Sequence, residues 1–324
     1  MSRNVRVAGS LHGEGDNVGL HRFALFTACS TAFLIFVGGL VTSNQAGLSV
    51  PDWPTSYGWN MFTFPYSKWV GGIFYEHGHR LVASFVGLLT VILALWTWLR
   101  EDRRWVRVLS LIAVAAVSTQ GILGGLTVKY FLPTSISMTH ALLAQTFFCL
   151  TIALAYFTSP KWKHGMPLIR DRHHGLPLSR VCAVTTGAVY LQLLLGAWMR
   201  HTQSGLAIPD FPLAFGRVIP EFTNYHVAIH YAHRIGATLV TAAILWTFFR
   251  IWRTHREDAL LIRPASVMLA LLGVQLTLGA YTIWSEKSPL ITTAHVATGA
   301  LILGTSFLLT LRASSMVVRE AAWQ

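Results

Sequence analysis

Two stretches of this chain, Leu81–Leu99 and Ala141–Pro160, contain no Asp, Glu, Lys or Arg. Each is long enough to cross a hydrocarbon core of ~30 Å as a helix. The composition agrees, with 12% charged residues where a soluble chain carries about twice that. The chain reads as an all-α integral membrane protein.

Apolar segments and their flanks predict eight transmembrane helices, at roughly 21–43, 72–99, 106–128, 136–158, 181–200, 225–249, 263–284 and 290–311. The first run is too long for a signal-peptide core and lacks a small-residue cleavage site, so it reads as a retained helix. Short basic connections then fall on one side, among them Arg3, Arg6, Arg100, Arg103, Arg104, Arg107, Lys161, Lys163, Arg170, Arg172, Arg250, Arg253 and Arg256. The other side holds only Lys68, Lys129, Arg200, Arg217 and Lys287. The positive-inside rule places both termini in the cytoplasm. The net charge of +12 is therefore a topology signal, with no nucleic-acid partner implied. No Arg- and Ser-rich transit peptide is evident, which favours a bacterial cell membrane. Cys29, Cys149 and Cys182 lie within apolar segments and read as packing residues.

The sequence is duplicated. GGLVTSNQAGLSVPDWPTSYG at 38–58 aligns with GAWMRHTQSGLAIPDFPLAFG at 196–216, with an offset of 158. EHGHR at 76–80 faces HYAHR at 230–234, and QGILGGLTV at 120–128 faces QLTLGAYTI at 275–283. Four helices per repeat is an even number, so both repeats enter the membrane in the same sense, about an axis along its normal. The expected organisation is two repeat-related four-helix bundles, at 1–158 and 181–324, joined by a cytoplasmic linker at 159–180.

Four histidines occupy matching positions: His79 and His140 in the first half, His233 and His295 in the second. Each precedes the next basic flank by 17 to 21 residues, or about 26–32 Å of helix. All four thus sit near the outer face at a common depth. Ionisable side chains inside a membrane mark function by default. A pair of neutral imidazoles on facing helices suits axial ligation of haem iron. Zinc suits less well, for want of further ligands. The bland alternative for each ring is a hydrogen bond to a neighbouring helix.

Arg80 and Arg234 directly follow His79 and His233, where they can either pair with haem propionates or snorkel to the interface. Glu76 lies one turn before His79, and its counterpart is His230. A carboxylate on one side only suggests a proton acceptor beside a bound substrate, or a group that stabilises developing positive charge, against an ordinary ion-paired glutamate. Pro-Asp-Trp-Pro at 51–54 and Pro-Asp-Phe-Pro at 209–212 read as rigid turns, with Asp52 and Asp210 satisfying backbone donors. His77, His201 and His226 are outer-side residues to which the sequence gives no role.

Taken together, Glu76-x-x-His79-Arg80, Thr139-His140, His233-Arg234, Ala294-His295 and the duplicated halves resemble the haem A synthase family over nearly the whole length. That resemblance implies an oxidoreductase that converts haem O to haem A, oxidising a porphyrin methyl group to a formyl group through successive hydroxylations. It implies that His79 and His140, with Arg80, bind the substrate haem O. His233 and His295, with Arg234, would bind a haem b cofactor, and Glu76 would be the catalytic carboxylate. The paired outer-loop cysteines of some members are absent here. A haem O synthase (the prenyltransferase that makes the substrate) is the natural upstream partner, membrane lipid is the surroundings, and the electron acceptor stays open. The rival readings are a di-haem membrane cytochrome b relaying electrons from quinol, and a transporter of parallel repeats.

Overall fold

A computed structural model describes residues 18–163 and 176–321, with side chains to Ser315 apart from Lys163. Among the described residues, eight helices are long and apolar enough to cross a membrane. They are α1 (Val18–Ser43), α2 (Gly72–Arg100), α3 (Arg104–Lys129), α4 (Thr134–Phe157), α5 (Leu178–His201), α6 (Tyr225–His255), α7 (Ala259–Trp284) and α8 (Pro289–Ala321). Arg3, Arg6, Arg170, Arg172 and the middle of the expected linker lie outside the described residues.

The starts and ends obey local chemistry. Asn224 caps α6 by accepting from the Val227 N–H, and Asp258 caps α7 by accepting from the Leu260 N–H. Helix α6 runs to His255, past the expected end at 249. Its last turns carry Arg253, a cation that the negative end of the helix dipole favours. Pro264 sits inside α7 and cannot donate to the Leu260 carbonyl. Arg312 of α8 supplies the missing donor at 2.5 Å.

Helix α1 packs on α2 and α4, and α3 closes against the same two. In the second half α5 and α7 each pack on α6 and α8. One buried cluster gathers Leu20, Val86, Leu93, Val106, Phe147 and Leu154. Another gathers Val189, Ile244, Leu261, Met268, Leu303 and Leu309. Lipid tails are as apolar as leucine, so helices in a membrane associate through close fit and polar contacts. The seam between the halves shows both. A Cβ on Gly39 of α1 would come within 3.0 Å of Thr293 on α8, and one on Gly304 of α8 within 2.8 Å of Phe148 on α4. Tyr190 of α5 meets Thr146 of α4 at 2.9 Å.

The long connections 44–71 and 202–224 lie at the same end and repeat one backbone design. Left-handed residues recur in pairs: Gln45 with Gln203, Tyr57 with Phe215, Gly58 with Gly216, Phe131 with Glu286 and Leu132 with Lys287. Tyr57-Gly58 and Phe215-Gly216 form tight turns closed by bridges from Ser56 to Trp59 and from Ala214 to Arg217. Two consecutive positive φ values are what a type I′ turn demands.

Candidate functional site

Each of the four histidines lies against a glycine of the neighbouring helix. A Cβ on Gly38 of α1 would stand 3.1 Å from Cε1 of His79, and one on Gly124 of α3 would stand 3.4 Å from that of His140. The same holds at 3.2 Å for Gly196 of α5 with His233, and for Gly279 of α7 with His295. At Gly38, Gly196 and Gly279 a Cβ would press on the ring, while at Gly124 it would meet the His140 ring at ordinary contact distance. The rings of His79 and His140 are near enough to interact electrostatically, as are those of His233 and His295. His140 stands in the same relation to His201, so its ring is shared between two neighbours.

Three of the four histidines also meet a glutamine that the sequence reading did not single out for a role. Gln120 Nε2 donates to the His140 carbonyl at 2.8 Å. Gln192 Nε2 donates to the His233 carbonyl at 2.8 Å and lies 3.0 Å from its Nδ1. His295 Nδ1 lies 3.2 Å from the Gln275 carbonyl, where it can donate. That bond orients the ring and leaves Nε2 as its acceptor nitrogen, which the Gln275 amide approaches at 3.4 Å. Nδ1 of His79 and of His140 is buried without a hydrogen-bond partner. Gln120 and Gln275 sit in the repeated stretches and were visible as a match. Gln192 faces Leu34 in the repeat, so no sequence signal marked it.

Above the histidines the loops are clamped by arginine. Arg80 Nη1 donates to the carbonyls of Asp52 (2.7 Å) and Thr55 (2.9 Å), and Nη2 to those of Val50 (2.9 Å) and to Glu76 Oε1 (2.8 Å). Arg234 repeats this on Asp210 (2.7 Å), Leu213 (2.7 Å) and Ile208 (3.3 Å). Sequence reading offered these two arginines to propionates. In the structure their terminal N–H groups hold loop carbonyls, and a propionate would have to displace one of these bonds. Backbone acceptors leave no trace in a sequence, which is why this role was not foreseen.

Glu76 is 4% exposed. Its Oε2 accepts the Val50 N–H at 2.7 Å, and Oε1 pairs with Arg80. His230 stands in the same place, with Nδ1 taking the Ile208 N–H at 3.2 Å. Arg234 Nε lies 3.3 Å from its Nε2. A neutral imidazole has one acceptor nitrogen, so only one of these two contacts can be a hydrogen bond. Both residues anchor the loop to the helix, but the carboxylate does so with two acceptors and a charge.

The aspartates serve the turns. Asp52 accepts from the N–H groups of Tyr57 (2.6 Å) and Gly58 (2.8 Å) and from the Thr55 hydroxyl (2.5 Å). Asp210 accepts from Phe215 and Gly216. Partial burial raises the Asp52 pKa, but the Gly58 N–H, the Thr55 hydroxyl and the Tyr57 N–H outweigh it and hold the carboxyl below its usual range. The Gly216 and Phe215 N–H groups do the same for Asp210. Trp53 covers the first site, its ring so close over Gly125 of α3 that any Cβ there would collide with it. His77 joins the loop through the Ser56 hydroxyl (3.0 Å), a tilted contact with Phe64 and an edge contact with Trp69, and His226 is held by Ser204 at 2.8 Å.

Two imidazoles per half, each lying against a glycine, suit a planar group ligated from both faces. Among the described residues no group of three or more His, Cys, Asp or Glu side chains is arranged to hold a metal ion. The donor set thus fits haem iron better than tetrahedral zinc.

The fold and site define a polytopic helical membrane protein with four half-buried histidines, two in each half, beneath arginine-clamped loops. The model of the COX15-CtaA family, described as cytochrome oxidase assembly protein, matches residues 21–308, and the chain belongs to this family. It is similar to the heme A synthase of Symbiobacterium thermophilum, 33% identical over 75% of this chain and 78% of the relative. The heme A synthase of Halalkalibacterium halodurans is 29% identical over 69% and 75%, and that of Shouchella clausii 27% identical over 84% and 89%.

Proposed function

We propose that this protein makes haem A from haem O; the relatives it resembles are named heme A synthase. The observation that supports the reading is that His79, His140, His233 and His295 each lie against a glycine of a neighbouring helix at repeat-related positions. We read the helix contacts as two repeat-related four-helix bundles, α1–α4 for the substrate and α5–α8 for a haem b cofactor. The bacterial cell membrane, with both termini in the cytoplasm, is the setting the basic flanks support.

In this reading His79 and His140 hold haem O, and Glu76 faces the reacting edge. The formyl product lies two two-electron oxidations above the methyl group: two hydroxylations would give a gem-diol, which loses water, and the four electrons would leave to an external acceptor. Haem b, bound by His233 and His295, would supply electron transfer. Arg80 and Arg234 keep the loops closed over the porphyrin edges and water out. Glu76 accepts a proton from the reacting side at the carboxylate that Arg80 and the Val50 N–H now orient. Loop anchoring alone does not require a carboxylate, since His230 anchors its own loop as a neutral ring.

A second reading, a di-haem cytochrome b relaying electrons, draws on the same Glu76: both its oxygens are already bonded. Pigment extraction separates the two. Protein purified from cells that make haem O is expected to yield haem B together with haem O or haem A. Haem B alone, at two equivalents, would favour the relay and remove the synthase reading.

A further inference from the structure

Arg200 stands in the last turn of α5, at the end of the bundle that carries the histidines and the loops. Its Nη2 reaches across to the first half, donating to the Gly39 carbonyl at 3.0 Å and the Ser43 hydroxyl at 2.9 Å on α1. Ser43 also accepts from Thr293 at 2.8 Å, two residues before His295 on α8. The guanidinium is close enough to His295 to interact with it electrostatically. Its other terminal nitrogen, Nη1, is buried and has no hydrogen-bond partner. The ion pairs among the described residues join Arg80 with Glu76, Arg103 with Glu101, Arg107 with Asp102 and Arg217 with Glu221, and none includes Arg200. A full positive charge at this depth, met only by neutral acceptors, is an expensive arrangement unless an anion completes it.

The other arginines near the histidines are already committed. Arg80 and Arg234 have their terminal nitrogens on loop carbonyls. Arg200 is the guanidinium beside a candidate iron ligand whose terminal nitrogen remains open. We infer that Arg200 Nη1 is a carboxylate-binding site, and that its occupant is a propionate of the haem held by His233 and His295. This rests on the haem reading of that half. It places the second-half porphyrin against the α1–α8 seam, so one residue both anchors the cofactor and ties the two halves together. A guanidinium suits the task because it can donate to α1 through one nitrogen and to a carboxylate through the other.

A thermodynamic cycle tests the pairing. Haem-depleted protein, wild-type and Arg200→Gln, is reconstituted with haem b or with its dimethyl ester, whose propionates carry no charge. In the wild type the ester is expected to bind at least about tenfold more weakly than haem b. Arg200→Gln is expected to weaken haem b by a similar factor and to leave the ester almost unaffected, so the two changes are not additive. Arg200→Lys, which keeps the charge, is expected to recover part of the loss. Equal weakening of haem b and ester by Arg200→Gln, or no weakening of either, would assign Arg200 to helix packing or to a lipid phosphate and overturn the inference. Failure of haem b to bind the wild type with bis-imidazole spectra would instead remove the haem site, and this inference with it.

Discussion

The two halves of the chain share a plan and differ at three points around it. In the second half Gln192 grips His233, and Gly236, one turn below, leaves room for it, since a Cβ there would collide with the carboxamide. At the same repeat positions the first half has Leu34 and Val82, and His79 Nδ1 is left without a partner. The second half carries His230 where the first carries Glu76. It also has Phe211 and Ala280 where the first has Trp53 and Gly125. The smaller ring goes with the added Cβ, and the larger ring with its absence. One half has histidines fastened by glutamine amides, which in the proposed reading suits a group that stays. The other has a looser histidine, a carboxylate and a wide aromatic cover, and suits a group that enters, reacts and leaves.

The carboxylate is the sharpest of these differences, and its removal has the largest expected effect. Glu76→Gln keeps an acceptor for the Val50 N–H but cannot take a proton. Haem content and loop structure should persist while haem A formation falls by about 10²–10⁴-fold. Normal haem A output, read by pigment chromatography, would return Glu76 to a purely anchoring part. Glu76→His, which copies the second half, should be just as inactive.

Retention comes next. Gln192→Leu removes the grip on His233 and should raise haem loss from the second half by about 10–100-fold, the usual scale for a ligand's outer partner. The double change Leu34→Gln with Val82→Gly transplants the grip and should slow haem loss from the first half. If both variants released haem at wild-type rates, the contrast between a permanent and an exchangeable site would collapse.

The aromatic cover gives a smaller effect with a built-in rescue. Gly125→Ala drives a methyl group into the Trp53 ring and should cost about 1–3 kcal/mol of thermal stability, the scale of overpacking. Adding Trp53→Phe, the pairing found in the second half, should restore most of it. A double variant no better than Gly125→Ala alone would break the link between cover and floor.

The sequence displayed six of the eight helices to within a few residues, because uncharged length is a strong signal. It ended α6 and α8 too early, at 249 and 311, where the helices carry on past the first arginine to His255 and Ala321. The histidine pairs were legible from the repeat. So were Gly124 with Gly279 and Gln120 with Gln275, although only coordinates reveal that they touch the rings. Gln192 and Gly236 escaped because they break the repeat. Arg200 read as one of a few outer charges, since burial across a seam has no local pattern. Arg80 and Arg234 were noticed for their place after the ligands, but their carbonyl partners lie 21 to 30 residues away.

The smallest effect concerns the turns, where the halves agree. Asp52 and Asp210 have carboxyls held below their ordinary pKa by turn N–H groups. Such a group adds stability that is complete above the unfolded value of about 3.9 and fades as pH falls through the lower folded one. Amide exchange at Tyr57, Gly58, Phe215 and Gly216, corrected for its intrinsic pH dependence, should therefore show protection lost only below about pH 4. Protection unchanged down to pH 2 would separate these carboxylates from the turns.

Paired imidazoles around one porphyrin iron in each half are the centre of the account. Low-temperature electron paramagnetic resonance on protein loaded with haem in both halves tests them directly. The expected spectrum holds two low-spin bis-imidazole signals, one lost with His79→Ala and the other with His233→Ala. High-spin iron throughout, or a low-spin signal that survives the loss of both His79 and His233, would contradict it.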